Sequence, residues 1–292
     1  MAGRSIRLKE YGANLDFEAI PSADYVEARG HAIDDRPCRV RTDENGFILS
    51  GHSLTGKTII GLGDSVLECL FVKEDDRFCA QLQKRIRQET SQSINVLNGG
   101  YSGSTTLHVL NAFINKVVPL KPDAVFLMTG IMDLEAMFKV DSFWSKDAYL
   151  RSIMDNGDAP GFWDQNFREE MDENSRSTLN RLLIDAARAF AIPLVFVSTP
   201  HQTVFQGAYV QGHYTSKDAY SVRVRNRRSA NRQIEDLCCQ LGAHYIDIQS
   251  FADGLDGMFY DDIHLTGLGA GRAAEALVER GFAQALRDQG VI

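Results

Sequence analysis

From residue 58 onward the chain alternates two hydrophobic rhythms. Short apolar runs occur at 58–63, 94–97, 123–128 and 193–197, with a weaker one at 244–246. Their lack of a polar face marks strands buried on both sides. Between them, residues 76–90, 105–116, 174–190, 218–241 and 268–288 carry apolar side chains at three- and four-residue spacing, the stripe of a helix that covers a core on one face. Such an alternation predicts a parallel sheet with helices on both faces. Five strands suit a flavodoxin-like α/β fold, a three-layer α/β/α sandwich.

Residues 1–57 lie outside that alternation and form an N-terminal extension ahead of the domain at 58–292. Within the extension, 39–49 predicts a β-hairpin turning at Asn45 and Gly46, a pair that readily takes the positive φ of a tight turn. Two connections, about 134–173 and 199–217, exceed the usual loop length and are rich in aromatic residues, so they are candidate lid or substrate elements. A chain of 292 residues is within reach of one α/β domain carrying such insertions.

Composition narrows the partners. With 44% hydrophobic and 24% charged residues the chain has material for a sizeable core. A formal net charge of −8 opposes the electrostatic attraction that nucleic acid or an anionic membrane exploits, which favours a small-molecule or glycan substrate. The first residues lack the apolar run of a secretory signal, and no later stretch is long enough to span a bilayer, so a cytoplasmic protein is expected. Cys38, Cys69, Cys79, Cys238 and Cys239 form an odd set without a Cys-x-x-Cys pair, which predicts reduced structural thiols.

Three stretches could carry chemistry. Gly61-Leu62-Gly63-Asp64-Ser65 places a serine where the first buried strand ends and a helix should begin. There its hydroxyl projects outward, and the free backbone N–H groups of the helix start can meet an oxyanion. Alone, the Gly63-Asp64-Ser65 tripeptide favours the plainer reading of a helix N-cap. Tyr260-Asp261-Asp262-Ile263-His264 lies just before the last helix, and of seven histidines only His264 has an aspartate three residues ahead. A serine hydroxyl is a weak nucleophile until a neutral imidazole accepts its proton, and a carboxylate on the other ring nitrogen fixes the tautomer. The third stretch, Asn98 to Thr105, follows the second strand, and Gly103 within it could present an unobstructed N–H toward Ser65. A glycine-rich loop of conformational use alone is the plainer alternative.

Together these blocks, in this order and spacing over roughly 58–290, resemble the GDSL/SGNH hydrolases. The resemblance implies a Ser65–His264–Asp261 triad and an oxyanion hole built from the Ser65 and Gly103 amides. It implies an ester hydrolase working through an acyl-enzyme, and the aromatic-rich connections with the lack of a long apolar segment favour O-acetyl groups on a carbohydrate or small metabolite as the expected substrate. Where the family has Gly-x-Asn-Asp after the third strand, this chain has Gly130-Ile131-Met132-Asp133. A thioether cannot donate a hydrogen bond, so the asparagine donor is missing. An acyltransferase using the same triad, or a binding module that lost the donor, are the alternatives. Asp133 is expected to have a local structural role.

Weaker signals complete the reading. Met132, Trp144 and Trp163 are candidate substrate-binding residues, and Phe138, Phe143, Tyr149, Phe162, Tyr209 and Tyr214 could line a pocket or simply pack the insertions. The arginines at Arg223, Arg225, Arg227, Arg228 and Arg232 are expected on a solvated helix face. His108, His201 and His213 fall into no metal-ligand spacing, so no metal is expected. Val66 stands where a dinucleotide fingerprint needs its third glycine, and no phosphate-loop lysine occurs, so no cofactor is expected either.

Overall fold

The computed structural model describes residues 4–51, 56–155, 159–161, 167–253 and 255–292. Its strands are β1 (Ser5–Ile6), β2 (Asp16–Ala19), β3 (Cys38–Arg41), β4 (Lys57–Gly63), β5 (Ile94–Gly100), β6 (Ala124–Met128), β7 (Ile153–Met154), β8 (Leu194–Val197) and β9 (His244–Ile246). Its helices are α1 (Ala23–Glu27), α2 (Ser65–Glu68), α3 (Phe78–Thr90), α4 (Thr106–Ala112), α5 (Val118–Leu120), α6 (Ile131–Met137), α7 (Glu173–Ala189), α8 (Ala208–His213), α9 (Lys217–Leu241), α10 (Gly267–Glu279) and α11 (Phe282–Asp288). A π-helical turn over Phe113–Val117 joins α4 to α5.

The five apolar runs form one parallel sheet in the order β5-β4-β6-β8-β9. The first strand of the sheet therefore has the second on one side and the third on the other, as in a flavodoxin-like sheet. The crevice where ligands bind in such sheets opens at the C-terminal end of β4, where the strand order reverses.

Alternation along the strands divides the core into two layers. Ile59, Phe126 and Val195 face α3, α10 and α11, together with Phe78, Leu277 and Phe282. Ile60, Leu62, Val125, Leu127 and Phe196 face α4, α7 and α9, together with Phe113, Leu183 and Ile234. Each buried side chain of this size contributes roughly 1.5–3 kcal/mol, so these layers supply the main stabilisation. Gly61 leaves room for Phe126, because a Cβ there would fall 2.3 Å from the ring. The helical stripe at 268–288 is broken in two at Gly281, whose φ of +99° ends the regular helix before α11. Among the described residues no helix is long and apolar enough to cross a membrane. Cys38, Cys69, Cys79 and Cys238 are buried free thiols and Cys239 is an exposed one.

The N-terminal segment wraps onto this sandwich. The turn expected within 39–49 closes as a short antiparallel hairpin: the Asp43 N–H donates to the Phe47 carbonyl and the Leu49 N–H to the Arg41 carbonyl, both at 2.9 Å, with Thr42 opposite Ile48. The ladder of β3 itself goes to β2, with Phe17 opposite Val40. Ile48 turns away because it is buried and exchanges both backbone hydrogen bonds with Asn98 of β5, which extends the edge of the main sheet. Farther out, β1 pairs antiparallel with β7 of the first long connection. That connection begins in helix α6, and the second one contains α8.

Candidate active site

Ser65 opens α2 directly at the end of β4. Asp64 caps that helix: its Oδ1 accepts the Val66 N–H at 3.0 Å while Oδ2 accepts the Met132 N–H at 3.4 Å from the start of α6. One buried carboxylate thus ties together the ends of two neighbouring strands. Burial raises its pKa to about 6, against the lowering effect of those two N–H groups. The helix lasts one turn because Cys69 takes a left-handed conformation, φ 52°. The Asn98 side chain then pins the turn to β5 by donating to the Leu67 carbonyl at 3.0 Å.

His264 approaches from the far end of the chain. The turn that carries it is closed by a bridge between Phe259 and Leu265 and by the Tyr260 N–H donating to the His264 carbonyl at 3.0 Å. Within it, Asp261 Oδ1 accepts the backbone N–H groups of Ile263 at 2.9 Å and His264 at 2.7 Å. The three-residue spacing therefore fixes the carboxylate relative to the ring. Asp261 Oδ2 accepts from His264 Nδ1 at 2.7 Å, and His264 Nε2 accepts from Ser65 Oγ at 2.8 Å. Since the carboxylate can only accept, the ring proton sits on Nδ1 and leaves Nε2 a base. The Tyr260 ring stacks on the imidazole at 5.4 Å and 11°.

Electrostatics follow from this chain. Burial works against a charged imidazole, but the Asp261 carboxylate outweighs it and raises the His264 pKa above its ordinary value. Burial likewise works against the Asp261 anion, and the imidazole with the hydrogen bonds into the carboxylate outweighs it, holding its pKa well below the usual range. The arrangement can take a proton from Ser65 and hold the resulting imidazolium.

Sequence reasoning missed Arg29, which completes the relay. From the residue after α1 and its cap, its Nε and one terminal nitrogen donate to Asp261 Oδ2 at 3.1 and 3.0 Å. The guanidinium lies 3.3 Å from the Tyr25 ring centroid and 4.7 Å from that of Tyr209, the latter in the second long connection. A cavity of about 350 Å³ opens against this pair, walled by Arg29, Asp261, Tyr209 and Tyr260. No local pattern marks Arg29, because its partner lies 232 residues away.

The other predicted residues are placed as follows. Gly103, φ +75°, sits in the loop after β5, which is tied to β4 by the Tyr101 N–H donating to the Gly63 carbonyl at 3.2 Å. A Cβ at Gly103 would fall 2.5 Å from Lys9 Nζ and 2.6 Å from the Tyr149 ring, so the position is closed to any side chain. Met132 is buried and packs with Leu134, Met137, Phe143 and Leu179. Trp144 is 54% exposed on a short 3-10 turn. Trp163 and Phe162 lie outside the described residues. Asp133 accepts from the Thr106 N–H at 2.7 Å, Thr106 Oγ1 at 2.6 Å and Arg176 Nε at 3.0 Å, which joins α4, α6 and α7.

The arginine stripe of α9 differs from its expected solvated face. Arg227 is buried and pairs with the Asp262 carboxylate, to which Tyr214 also donates at 2.7 Å. Arg223 pairs with Glu135. The inward side of the stripe anchors the His264 turn because Asp262 is buried and needs a cation, while Arg225 and Arg232 face outward. Among the described residues no group of three His, Cys, Asp or Glu side chains is placed to hold a metal ion.

A sequence model of the GDSL-like lipase/acylhydrolase family matches residues 62–272, which spans both the Ser65 and the His264 turns. The chain belongs to this family. No curated protein matches it. Solved structures share the fold of this GDSL-like acylhydrolase at low identity. The acetylxylan esterase Axe2 from Geobacillus stearothermophilus is 16% identical, with a TM-score of 0.52 over 80% of this chain and 94% of that one. The acetyl xylan esterase AlAXEase is 14% identical, with a TM-score of 0.51 over 76% of this chain and 98% of that one. The protein is thus an SGNH-type hydrolase.

Proposed function

We propose that this GDSL-like acylhydrolase is a serine esterase in which Ser65 is the nucleophile, His264 the general base and acid, and Asp261 the orienting carboxylate. The observation that carries the reading is the continuous hydrogen-bonded chain from Ser65 Oγ through His264 to Asp261. Ser65 Oγ attacks the acyl carbonyl carbon as its proton passes to His264 Nε2, and the Ser65 and Gly103 amides receive the oxyanion. Collapse expels the alcohol, which takes the proton from Nε2 and leaves an ester on Ser65. Water then gives its proton to Nε2 and attacks that ester, and a second collapse releases the acid and returns the proton to Ser65. No step calls for a metal or a cofactor.

Removal of O-acetyl groups from a carbohydrate or small metabolite is the favoured substrate class. Its support is the acetylxylan esterases among the similar structures and the tyrosines that both long connections bring toward the relay, Tyr149 at Gly103 and Tyr209 at Arg29. The net charge of −8 suits a neutral glycan ester better than a nucleic acid or an anionic membrane. The test is hydrolysis of para-nitrophenyl acetate and of acetylated xylo-oligosaccharides by the parent, Ser65→Ala and His264→Ala proteins. Acetate release that drops at least about a thousandfold in both variants is expected from loss of a triad member. Release that survives in Ser65→Ala would overturn the reading. Product analysis with an added sugar acceptor reports whether the acyl group goes to water or to a hydroxyl.

A further inference from the structure

Lys9 belongs to the N-terminal segment, outside the part of the chain that matches the family, yet it is only 4% exposed. Its Nζ donates to the Gly103 carbonyl at 2.7 Å and to the Ser102 carbonyl at 3.4 Å, and it lies 4.5 Å from the centroid of the Tyr149 ring. Among the described residues no carboxylate is within ion-pair distance of it. An ammonium withdrawn from water onto two carbonyls and an aromatic face, with no counter-ion beside it, is costly to keep. The loop it grips is the one that carries Gly103.

The Ser102 carbonyl and the Gly103 N–H are two ends of one peptide group. A cation on the carbonyl polarises that group and makes its N–H a stronger donor. The Gly103 carbonyl, held at 2.7 Å, fixes the same loop from the next peptide. The Met132 side chain leaves the asparagine position that the family resemblance implies without a side-chain donor. We propose that Lys9 takes over the electrostatic work of the absent asparagine: it positions and polarises the Ser102–Gly103 peptide and sets a positive charge beside the oxyanion. The proposal rests on the acyl-enzyme reading above. In it Lys9 is a positioning residue supplied by the segment that precedes the family domain.

The charged and titratable groups facing Lys9 are Arg7 on its own segment, Asp64 and Glu68 at the two ends of the Ser65 turn, His108 on α4, and Asp147 and Tyr149 on the first long connection. Burial and Arg7 lower the ammonium to about 7, and the three carboxylates oppose them without offsetting them. Lys9 is therefore a cation below that pH and loses its proton above it. Activity should fall on the alkaline side as the charge disappears.

The experiment compares the parent, Lys9→Met, Met132→Asn and the double variant for kcat and KM on para-nitrophenyl acetate across pH, with Ser65→Ala as the check on the underlying chemistry. Losing one oxyanion donor typically lowers turnover about a hundred- to a thousandfold, and losing its polarising cation should lower kcat about ten- to a hundredfold with KM little changed. Lys9→Met should also lose the alkaline fall, and Met132→Asn in that background should restore kcat at least about tenfold by supplying the donor directly. A Lys9→Met protein that keeps the parent's kcat and alkaline limb, or a folded one that Met132→Asn does not rescue, overturns the proposal. If Lys9→Met does not fold, Met132→Asn alone decides: a higher kcat with a shallower alkaline fall supports the proposal, and an unchanged profile overturns it. Activity surviving in Ser65→Ala would instead remove the acyl-enzyme reading beneath it.

Discussion

Two buried charged groups, Arg29 and Asp64, flank the hydrogen-bonded chain of Ser65, His264 and Asp261. Arg29 neutralises part of the Asp261 carboxylate by donating to the same Oδ2 that accepts from His264 Nδ1. Replacing Arg29 by Met leaves Asp261 more strongly negative toward the imidazole, so the His264 pKa, already raised, should rise further. Because the base must be neutral, the acidic limb of a kcat/KM profile should move to higher pH in Arg29→Met, and a limb that stays or moves down would show that Arg29 does not act through Asp261. Asp64 carries the opposite linkage. Its folded pKa, raised from 3.8 to about 6 by burial, lies above the unfolded value, so its contribution to stability is present below pH 3.8 and is lost as pH rises through 6. Asp64→Asn keeps the cap to Val66 but loses the acceptor for the Met132 N–H, so its stability relative to the parent should shift in its favour by up to about 3 kcal/mol between pH 4 and pH 8, read by thermal unfolding at both. At this scale Ser65, Asp261 and His264, which the structure joins by hydrogen bonds, were legible because each sits in a local motif. Arg29 and Lys9 were not, because their role comes from partners more than ninety residues away.

Elements hold the relay through their ends. The Ser65 turn is tied by Asp64 and Asn98 to β5 and α6, and the His264 turn is tied by Arg227 of α9. Arg227→Met would strip the cation from buried Asp262, a change that typically costs about 3–5 kcal/mol. A fall in thermal stability with a matching loss of activity is expected, and an unchanged melting temperature would mean that the pair does not anchor the turn. The parallel strands and long helices were legible from periodicity, since each of these elements owes its pattern to one continuous buried face. The arginines of α9 misled because a charge stripe on a helix is usually solvated, and only the tertiary partner Asp262 turns it inward. Of residues 39–49 only the tip was legible: the Asn45-Gly46 turn is local, whereas the ladder partner of β3, 16–19, is not.

Over the whole molecule, the N-terminal segment does more than precede the domain. It adds Ile48 to the sheet edge, places Arg29 on Asp261 and places Lys9 on the loop that carries Gly103. A chain begun at residue 52 should therefore be both less stable and far less active, as judged by unfolding and by acetyl ester turnover. Full activity in the shortened chain would contradict the structural role assigned to the segment. The most direct test of the account is chemical: treat the folded protein with a fluorophosphonate and map the adduct by mass spectrometry. A single adduct on Ser65, formed much more slowly in His264→Ala, is the predicted result; no adduct, or an adduct on another residue, would contradict the assignment of Ser65 as the nucleophile.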